Sequence, residues 1–332
     1  MAGFWSDRRV LVTGAGGFTG SHLARRLAAE GARVRAFVRT GGSRRDLPPE
    51  VEVIEGDLTD VADCARAVEG VDTVFHVAAV FRQVGGGRAV LEAVHVDATD
   101  RLIRAARRAG CRRFVHTSTM GVHGHVKQGP GDETTEFSPG DDYQETKLEG
   151  ELLARRVGDE IGQPWTVVRP CGIYGPGDTR FLKMIRPIAR GRFVMIGNGE
   201  PHYHFVYIDD LVEGFLLAGE KAEGEGEVFL IGGPSKPTLN ELARSIAEIL
   251  GVKPPRARVP VGLVMNAGRL CEALCKPLGL EPPLHPRRVA FFTKNRDFDL
   301  SKAREKLGYA PKVDHREGFR RVIDWSREQG LL

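Results

Sequence analysis

The sequence predicts an α/β fold built on a doubly wound, mostly parallel sheet with helices on both faces. Three observations predict it: short apolar strands alternate with longer helical patterns, the strands are almost continuously apolar, and a glycine-rich turn follows the first strand. Strands that are apolar on both faces are typical of a parallel sheet covered on both sides. Right-handed crossovers between such strands produce the doubly wound arrangement.

Each element of the first half follows from its own pattern. The predicted strands are RRVLVTG, VRAFV, VEVIEGD, DTVFHVAA, RFVHTS and WTVVRP. The predicted helices between the first five strands are SHLARRLAAEG, DVADCARAVEG and DATDRLIRAARRAG, and a further helix, which begins near Tyr143, precedes WTVVRP.

After Pro170 the loops lengthen, and glycine and proline cluster. The elements become shorter: FVYI, DDLVEGFLLAG, EVFLIG and LNELARSIAEILG, then an apolar helix around 261–276 and a terminal helix around 316–329. We expect a sheet domain over residues 1–170, to which a segment near 205–218 returns, and a smaller C-terminal α/β lobe over 171–332. Ligands of such folds bind at the carboxyl ends of the strands, so the lobe should cover that edge and contribute the substrate site.

The overall charge and composition argue against several classes of function. The net charge is only +4 over 332 residues and the basic residues are spread along the chain, which does not favour a nucleic-acid binder. We expect no transmembrane helix, since there is no long uncharged apolar run, and no signal peptide, since MAGFWSDRRVLVTG has no apolar core. The five scattered cysteines are typical of the reducing cytoplasm. Cys271 and Cys275 lie four residues apart, but no second Cys/His cluster completes a metal site, so we expect no metal.

The turn TGAGGFTG, residues 13–20, lies between the first strand and the first helix. It places Gly14, Gly17 and Gly20 where the backbone must approach a pyrophosphate closely and where helix and strand pack tightly. The helix N-terminus adds amide N–H groups and the positive end of the helix dipole. A glycine-rich turn alone can be a tight connection, but a strand before it and a helix after it favour a dinucleotide site. We therefore predict a Rossmann-type dinucleotide-binding domain over residues 1–170.

The end of the second strand indicates which dinucleotide binds. About 20 residues beyond the turn, an Asp or Glu would bind the ribose 2′-hydroxyl of NAD. Here that position is Arg39, followed by Arg44 and Arg45, and a guanidinium suits the 2′-phosphate of NADP. We predict a preference for NADP, with NAD not excluded and a solvated basic loop as the alternative interpretation. Asp57, in EGDLTD after the third strand, could accept a hydrogen bond from the adenine amino group.

Tyr143 and Lys147 stand four residues apart in DDYQETKLEG, a stretch with a helical pattern. On a helix these positions share one face, although two polar residues at this spacing could also form an ordinary solvated surface. The pKa of a free tyrosine is about 10, too high for a base at neutral pH, and a nearby ammonium would favour its phenolate. Beside a nicotinamide cofactor, Tyr143 could exchange a proton with a substrate hydroxyl while Lys147 holds the nicotinamide ribose. Asp141 and Asp142 suit the N-terminal end of this helix.

These motifs, in this order, resemble the extended branch of the short-chain dehydrogenase/reductase superfamily. That branch contains nucleotide-sugar epimerases and dehydratases, 3β-hydroxysteroid dehydrogenases and dihydroflavonol reductases. The resemblance spans nearly the whole chain and includes FHVAA (75–79), RPCGIYGPGD (169–178), FVYIDDLVEGF (205–215) and FDLSKAREKLGY (298–309). It implies that a hydroxyl after the fifth strand orients the substrate oxygen, and Thr119 takes that position, with Ser118 as the fallback. By the same resemblance, further cofactor contacts fall on Phe18, Thr19, Leu58, Ala78, Ala79, Thr117, Pro170 and Ile173.

Departures from the family pattern indicate the type of reaction. The 4,6-dehydratases of the family carry an acidic pair after the catalytic Thr, but Met120 and Gly121 follow Thr119 here. Many sugar-nucleotide members have an Asn where RPCGIYG has Gly172, and an Arg where this chain has HYH, residues 202–204. Neither usual anchor for a nucleotide sugar is clear, and RPxGIYGPGD is more similar to the hydroxysteroid dehydrogenases and reductases.

Several side chains are candidates for contacts with the substrate. His123 lies in the loop after Thr119, and Arg180, in GDTRFLKM, could reach a phosphate or carboxylate. His202, Tyr203 and His204 either line the substrate cleft or are ordinary strand residues with alternate ones in the core, and the pattern favours neither interpretation.

We therefore expect an NAD(P)-dependent oxidoreductase that exchanges hydride with a secondary alcohol or ketone, of the 3β-hydroxysteroid dehydrogenase or dihydroflavonol reductase type. A nucleotide-sugar epimerase that retains its cofactor is the main alternative, and a catalytically inactive NADP-binding regulatory protein is a third. Intact Thr119, Tyr143 and Lys147 argue against the third. The expected partner is a small-molecule substrate, and the resemblance implies a homodimer formed through the helices at 88–110 and 143–161.

Overall fold

The computed structural model describes residues 3–44, 47–80, 87–275 and 286–332. Its strands are β1 (Arg9–Thr13), β2 (Arg33–Arg39), β3 (Glu52–Gly56), β4 (Thr73–His76), β5 (Arg113–Thr117), β6 (Trp165–Pro170), β7 (Gly172–Tyr174), β8 (Met195–Ile196), β9 (Phe205–Tyr207), β10 (Glu227–Ile231) and β11 (Arg258–Val259). Its helices are α1 (Phe18–Ala29), α2 (Val61–Val68), α3 (Gly87–Glu92), α4 (Ala98–Arg108), α5 (Asp142–Ile161), α6 (Leu182–Ala189), α7 (Ile208–Glu220), α8 (Leu239–Leu250), α9 (Val261–Cys275), α10 (Pro286–Thr293), α11 (Ser301–Leu307) and α12 (His315–Glu328). A π-helical turn, Ala93–Asp97, joins α3 to α4, and 3₁₀ turns lie at Met120–His123 and Ala222–Gly224.

The main sheet has seven parallel strands in the order β10-β6-β5-β4-β1-β2-β3. From β1 the chain first moves outward through β2 and β3, and then in the other direction through β4, β5 and β6. The doubly wound fold predicted from the sequence is confirmed. The order reverses between β1 and β4, where Thr13 pairs with His76. Open α/β sheets bind their ligands in the crevice outside the carboxyl ends of the strands at such a point.

The strands are buried on both faces, as their apolar sequences predict. Every residue of β5 and β6 is buried. Helices α1 and α7 pack on one face of the sheet, and α2, α4 and α5 pack on the other, each with its own apolar cluster. This sandwich holds the carboxyl ends of the strands in fixed relative positions.

The part of the chain that returns to the main sheet is longer than the expected 205–218. Helix α7 packs against α1, β4, β5 and β6, and β10 then pairs with β6, with Ile231 opposite Pro170. The strand EVFLIG, which we expected in the C-terminal half, is therefore the seventh strand of the main sheet. An apolar strand of this length has the same composition in either place, so its sequence carried no signal for the sheet it joins.

The remaining C-terminal elements form the lobe beside the carboxyl edge of the sheet. Strand β7 pairs with β9, and β8 pairs with β11, both in parallel. Because β7 starts two residues after β6 ends, the lobe is tied directly to the carboxyl end of a central strand. Within the described ranges, no helix combines the length and the apolarity needed to cross a membrane.

Candidate active site

The turn after β1 has the geometry of a phosphate cradle. Gly14 has φ +67°, and a Cβ there would lie 2.7 Å from the Cα of Ala78. A Cβ at Gly20 would lie 2.3 Å from the carbonyl oxygen of Gly14, so only glycine allows α1 to pack this close to β1. Gly17 precedes the first residue of α1, and no side chain caps this helix end. The amide N–H groups at the start of α1 therefore suit an anion such as a pyrophosphate.

Arg39 and Asp57 come together at the carboxyl ends of β2 and β3. One Asp57 oxygen accepts hydrogen bonds of 2.8 Å from both the amide and the hydroxyl of Thr59. These bonds lower the pKa of Asp57, and the Arg39 guanidinium lowers it further. Arg44 forms an ion pair of 2.6 Å with Glu55, so it is engaged elsewhere. Arg45, the third arginine of the predicted cluster, lies outside the described residues.

The remaining predicted cofactor contacts surround the same crevice. Each lies in the first turn of α1, at or just beyond the carboxyl end of a main-sheet strand, or in β7: Phe18, Thr19, Leu58, Ala78, Ala79, Thr117, Pro170 and Ile173. The fold thus brings the predicted contacts to one edge of the sheet. Within the described ranges, no group of three or more His, Cys, Asp or Glu side chains is placed to hold a metal ion.

Helix α5 presents the Tyr–Lys pair at this edge. Asp141 caps the helix by accepting a hydrogen bond of 2.9 Å from the amide of Gln144. Lys147 is 2% exposed, and its ammonium donates a hydrogen bond to the backbone carbonyl of Thr117, the last residue of β5. Burial lowers the pKa of Lys147 to about 8, although the Glu151 carboxylate opposes this shift.

Tyr143 lies one turn before Lys147 and is half-buried. Burial raises the pKa of its phenol to about 12, and the Arg180 guanidinium offsets part of that shift. Asp178 holds this guanidinium through contacts of 2.8 to 3.0 Å. We expected Lys147 to supply the cation that favours the phenolate. In this structure the ammonium of Lys147 donates to the Thr117 carbonyl, and the Arg180 guanidinium lowers the pKa of Tyr143, so that role of Lys147 stays a prediction.

The two hydroxyl candidates after β5 have different surroundings. Ser118 is 3% exposed and lies in the protein interior near Glu151. Thr119 is half-buried, and its Oγ1 accepts a hydrogen bond of 3.1 Å from the amide of Gly121, which caps the following 3₁₀ turn. The cap fixes Thr119 and leaves its hydroxyl hydrogen able to donate. Burial therefore favours Thr119 over Ser118 as the group that meets a ligand.

Two predicted substrate contacts are buried inside the protein. His123 is 1% exposed; its Nδ1 donates to the carbonyl of Thr135 at 2.8 Å, and its Nε2 accepts from Arg169 at 2.9 Å. His204 is also buried, and its Nε2 donates to the carbonyl of Gly233 at 2.9 Å. The structure therefore corrects both: these rings hold loops together and are not exposed to a substrate. His202 is half-buried, with Nδ1 donating to the carbonyl of Lys236 at 2.7 Å, and its proposed contact stays a prediction.

Tyr203 lies between the two histidines, in the segment that precedes β9. Electrostatic interaction with the side chains of Tyr203 and Tyr143 contributes to raising the pKa of Arg180, so the three groups are close together. A Cβ at Gly172 would lie only 2.3 Å from Tyr203 Cε1. The ring also packs against Phe291, with centroids 5.0 Å apart. The sequence contained a signal for this, since alternate residues of an extended segment face opposite ways, but nothing indicated which face was which.

Together, the phosphate cradle at the switch point and the Tyr–Lys pair beside it define a nicotinamide-dinucleotide-dependent enzyme of the extended short-chain dehydrogenase/reductase type. The chain belongs to the NAD dependent epimerase/dehydratase family, whose model matches residues 10–232. It is 34% identical over 319 residues to the 3β-hydroxysteroid dehydrogenase/Δ5→4-isomerase of Mycobacterium tuberculosis. The matched region covers 91% of this chain and 86% of the relative.

Solved structures agree with this family. The crystal structure of gox2253 matches with a TM-score of 0.83 and 31% identity over 98% of this chain and 100% of the other. UDP-glucose 4-epimerase from Thermotoga maritima, crystallised with UDP-glucose, matches with a TM-score of 0.78 and 27% identity over 97% of this chain and 99% of the other. The family, the fold and the enzyme class expected from the sequence are confirmed, whereas the preference for NADP stays a prediction.

Proposed function

We propose that the protein exchanges hydride between NADP(H) and a secondary alcohol or ketone carried on an apolar, steroid-like framework. The observation that carries this proposal is the aromatic wall at Gly172, where the Tyr203 ring fills the space that a side chain at this position would occupy. The ring packs against Phe291, and the Arg296 guanidinium lies 5.1 Å from its centroid; this mainly aromatic wall would suit a fused apolar ring system. The similarity to the mycobacterial 3β-hydroxysteroid dehydrogenase supports the same substrate class.

The residues of the crevice fit the dinucleotide. The amides at the start of α1 would bind its pyrophosphate, Arg39 would meet the adenosine end, and Lys147 would hold the nicotinamide ribose. Thr117 Oγ1 is buried, with no hydrogen-bond partner among the described residues, and it lies at the same edge as a further donor or acceptor. When bound, the cofactor accepts or supplies the hydride.

Tyr143 would be the proton-transfer group. In oxidation it takes the proton of the substrate hydroxyl, and in reduction it donates a proton to the ketone oxygen. Thr119 would orient the same oxygen by donating its hydroxyl hydrogen. With a pKa of about 12, the phenol is protonated at neutral pH, which is the form needed to reduce a ketone. Oxidation requires the phenolate, and the positive charge of Arg180 lowers the free energy of that state.

Preference for NADP over NAD depends on Arg39. Its position at the carboxyl end of β2, beside Asp57, supports contact with a 2′-phosphate. Titration with NADPH and NADH should give clearly tighter binding of NADPH, and Arg39→Ala should remove most of the difference. Tighter binding of NADH by the unaltered protein would contradict the proposal.

A nucleotide-sugar epimerase is the second candidate, because the chain also resembles the T. maritima epimerase along nearly its whole length. An epimerase oxidises and then reduces the same carbon, so it returns its cofactor unchanged. The two functions separate in one assay that follows reduced nicotinamide by absorbance, with a 3β-hydroxysteroid and NADP⁺ in one arm and UDP-glucose in the other. The proposal expects net NADPH from the steroid and no UDP-galactose from the sugar, and UDP-galactose formation without net absorbance change would favour the epimerase.

We also propose a homodimer formed through α3, α4 and α5. Arg88 of α3 joins two carboxylates of α5, at Glu145 and Glu149, so these helices form one surface. Leu152 of α5 is 44% exposed on the single chain. Sedimentation should give a dimer, and Leu152→Asp should shift it toward monomer; a monomeric unaltered protein would contradict this.

A further inference from the structure

His95 lies in the middle of the π-helical turn Ala93–Asp97, between the crevice and α5, the helix that carries Tyr143 and Lys147. Its side chain is completely buried. π-helical turns are rare in proteins, but those that occur often lie at functional sites. Helix α5 approaches this turn closely: a Cβ at Gly150 would lie 2.1 Å from the carbonyl oxygen of His95. The turn and α5 therefore fit together only because Gly150 has no side chain.

The hydrogen bonds of the His95 ring fix its tautomer. Nε2 must accept, since its partner is the backbone amide of Val80 at 3.1 Å. Nδ1 therefore carries the proton and donates to Thr146 Oγ1 at 2.9 Å. The Thr146 hydroxyl in turn donates to the carbonyl of Asp142 at 2.8 Å, in the first turn of α5. The neutral ring of His95 thus joins the loop after β4 to the first turns of α5.

A second chain of hydrogen bonds reaches the backbone of His95 from the crevice. Thr13 Oγ1 accepts from two amides of the loop after β4, so its hydrogen is donated to His76 Nδ1 at 2.9 Å. His76 Nε2 then donates to Thr99 Oγ1 at 3.0 Å, and Thr99 donates to the carbonyl of His95 at 2.7 Å. Each hydrogen bond in this series has a defined donor and acceptor. The π-helical turn is therefore held both through the His95 carbonyl and through the His95 ring.

The His95 ring also touches the proton-transfer group itself. Its edge meets the ring of Tyr143, with centroids 5.4 Å apart and planes at 86°. This T-shaped contact restrains the phenol ring. Burial lowers the pKa of His95 to about 3, so the ring is neutral at physiological pH and its donor and acceptor do not exchange.

We propose that His95 is a positioning residue that holds Tyr143 in register with the cofactor loop after β4. Its Nδ1 hydrogen bond and ring edge set Tyr143, and its Nε2 sets the loop through Val80. The proposal rests on the proposed function, which assigns proton transfer to Tyr143. This positioning role differs from general packing because the two ring nitrogens act on different groups: Nδ1 on Tyr143 and Nε2 on the loop at Val80.

Two variants separate those halves. The amide of His95→Asn reaches about the position of Nδ1 and keeps the bond to Thr146, whereas His95→Gln reaches about the position of Nε2 and keeps the bond to Val80. We expect His95→Gln to lower kcat for a 3β-hydroxysteroid about 10-fold with NADPH affinity nearly unchanged. His95→Asn should weaken NADPH binding several-fold and keep more of kcat than His95→Gln, because both variants lose the ring edge and only His95→Asn keeps the bond to Thr146. Thr146→Val should reproduce His95→Gln, and Thr146→Ser should restore kcat.

A readout without turnover makes the test independent of the substrate. The chain has five tyrosines, so ¹³Cζ-tyrosine NMR can follow Tyr143 once Tyr143→Phe has identified its signal. The Tyr143 signal should shift in His95→Gln and in Thr146→Val, and should stay in place in His204→Gln, a matched change of another buried, hydrogen-bonded histidine. If the unaltered protein does not oxidise the steroid, the proposed substrate is wrong, and the NMR and NADPH measurements still decide the role of His95.

The proposal is overturned if His95→Asn and His95→Gln change kcat and NADPH affinity in parallel. It is also overturned if the Tyr143 signal is the same in all folded variants. Thermal unfolding of each variant identifies any that fail to fold, and Thr146→Val then tests the Tyr143 half of the proposal with the His95 ring intact.

Discussion

The cofactor-facing and substrate-facing halves of the crevice are fixed in different ways. On the cofactor side, backbone geometry decides the site: Gly14 and Gly20 allow approaches that any side chain would block. On the substrate side, Arg180, Tyr203 and Phe291 come from separate segments and meet only in the folded chain. On the proposed function, a short sequence motif therefore forms the cofactor side, while the substrate would be selected by side chains that meet only through tertiary structure.

Gly14→Ala should break the cofactor side and have the largest effect. The new Cβ would lie 2.7 Å from Ala78 Cα, in a backbone with φ +67° that L-residues rarely adopt. NADPH should bind roughly 100-fold more weakly, equivalent to about 2.7 kcal/mol. Gly251→Ala is the matched control, since Gly251 has φ +72° but open space around its Cβ position. Unchanged NADPH affinity in Gly14→Ala would indicate that the turn is a simple connection and not part of a dinucleotide site.

Arg180→Gln tests whether the substrate side supplies the charge that Tyr143 needs. Without the guanidinium the pKa of Tyr143 rises, so the rate of alcohol oxidation near neutral pH should fall about 10-fold for each unit of that rise. The pH at which the oxidation rate rises should also become higher. Measuring kcat over a pH series tests this. Arg180→Lys keeps the charge and should keep most of the rate. An unmoved pH profile would limit Arg180 to its pairing with Asp178.

Gly172→Asn tests the aromatic wall. The Cβ would meet Tyr203 Cε1 at 2.3 Å, so the ring must shift and its packing against Phe291 must change. We expect KM for the steroid to rise roughly 10-fold, the effect of about 1.4 kcal/mol of lost binding. Tyr203→Phe keeps the ring and should leave KM close to that of the unaltered protein. A steroid KM that is unchanged in Gly172→Asn would place the substrate elsewhere.

Stability in mild acid depends on buried histidines behind the proposed cofactor side, among them His76 and His95. Burial lowers the pKa of His76 and of His95 to about 3. The unfolded chain binds these protons near pH 6.5, whereas the folded chain binds them only near pH 3. Stability is therefore full above about pH 6.5 and falls as the pH drops toward 3, by about 1.4 kcal/mol per pH unit for each histidine.

Urea unfolding between pH 6.5 and 5 measures this slope before most carboxylates titrate. His95→Asn should make the slope shallower, because it removes one of the protons that only the unfolded chain binds. His22→Asn is the control, since His22 is half-buried on α1 outside this network. Equal slopes in all three proteins would contradict the assignment.

The sequence predicted the sheet, the glycine turn and the Tyr–Lys pair because each depends on local spacing or on a run of apolar residues. It did not predict that β10 joins β6, since an apolar strand fits the sheet and the lobe equally well. It could not decide whether His202, Tyr203 and His204 line the substrate cleft or lie in the core, because alternation gives two faces but not their surroundings. His95 carried no signal at all: a histidine in an amphipathic segment becomes significant only when its partners Val80 and Thr146 are known.

The most direct test of the central claim compares the unaltered protein with Tyr143→Phe, using NADP⁺ and a 3β-hydroxysteroid. The unaltered protein should form NADPH. Tyr143→Phe should lose about 10²- to 10⁴-fold in kcat, the contribution of a positioned acid–base group, while its NADPH affinity stays within about twofold. Tyr309→Phe, which removes a buried hydroxyl bonded to the Gly232 carbonyl, should keep its activity. Turnover that survives in Tyr143→Phe would contradict the account.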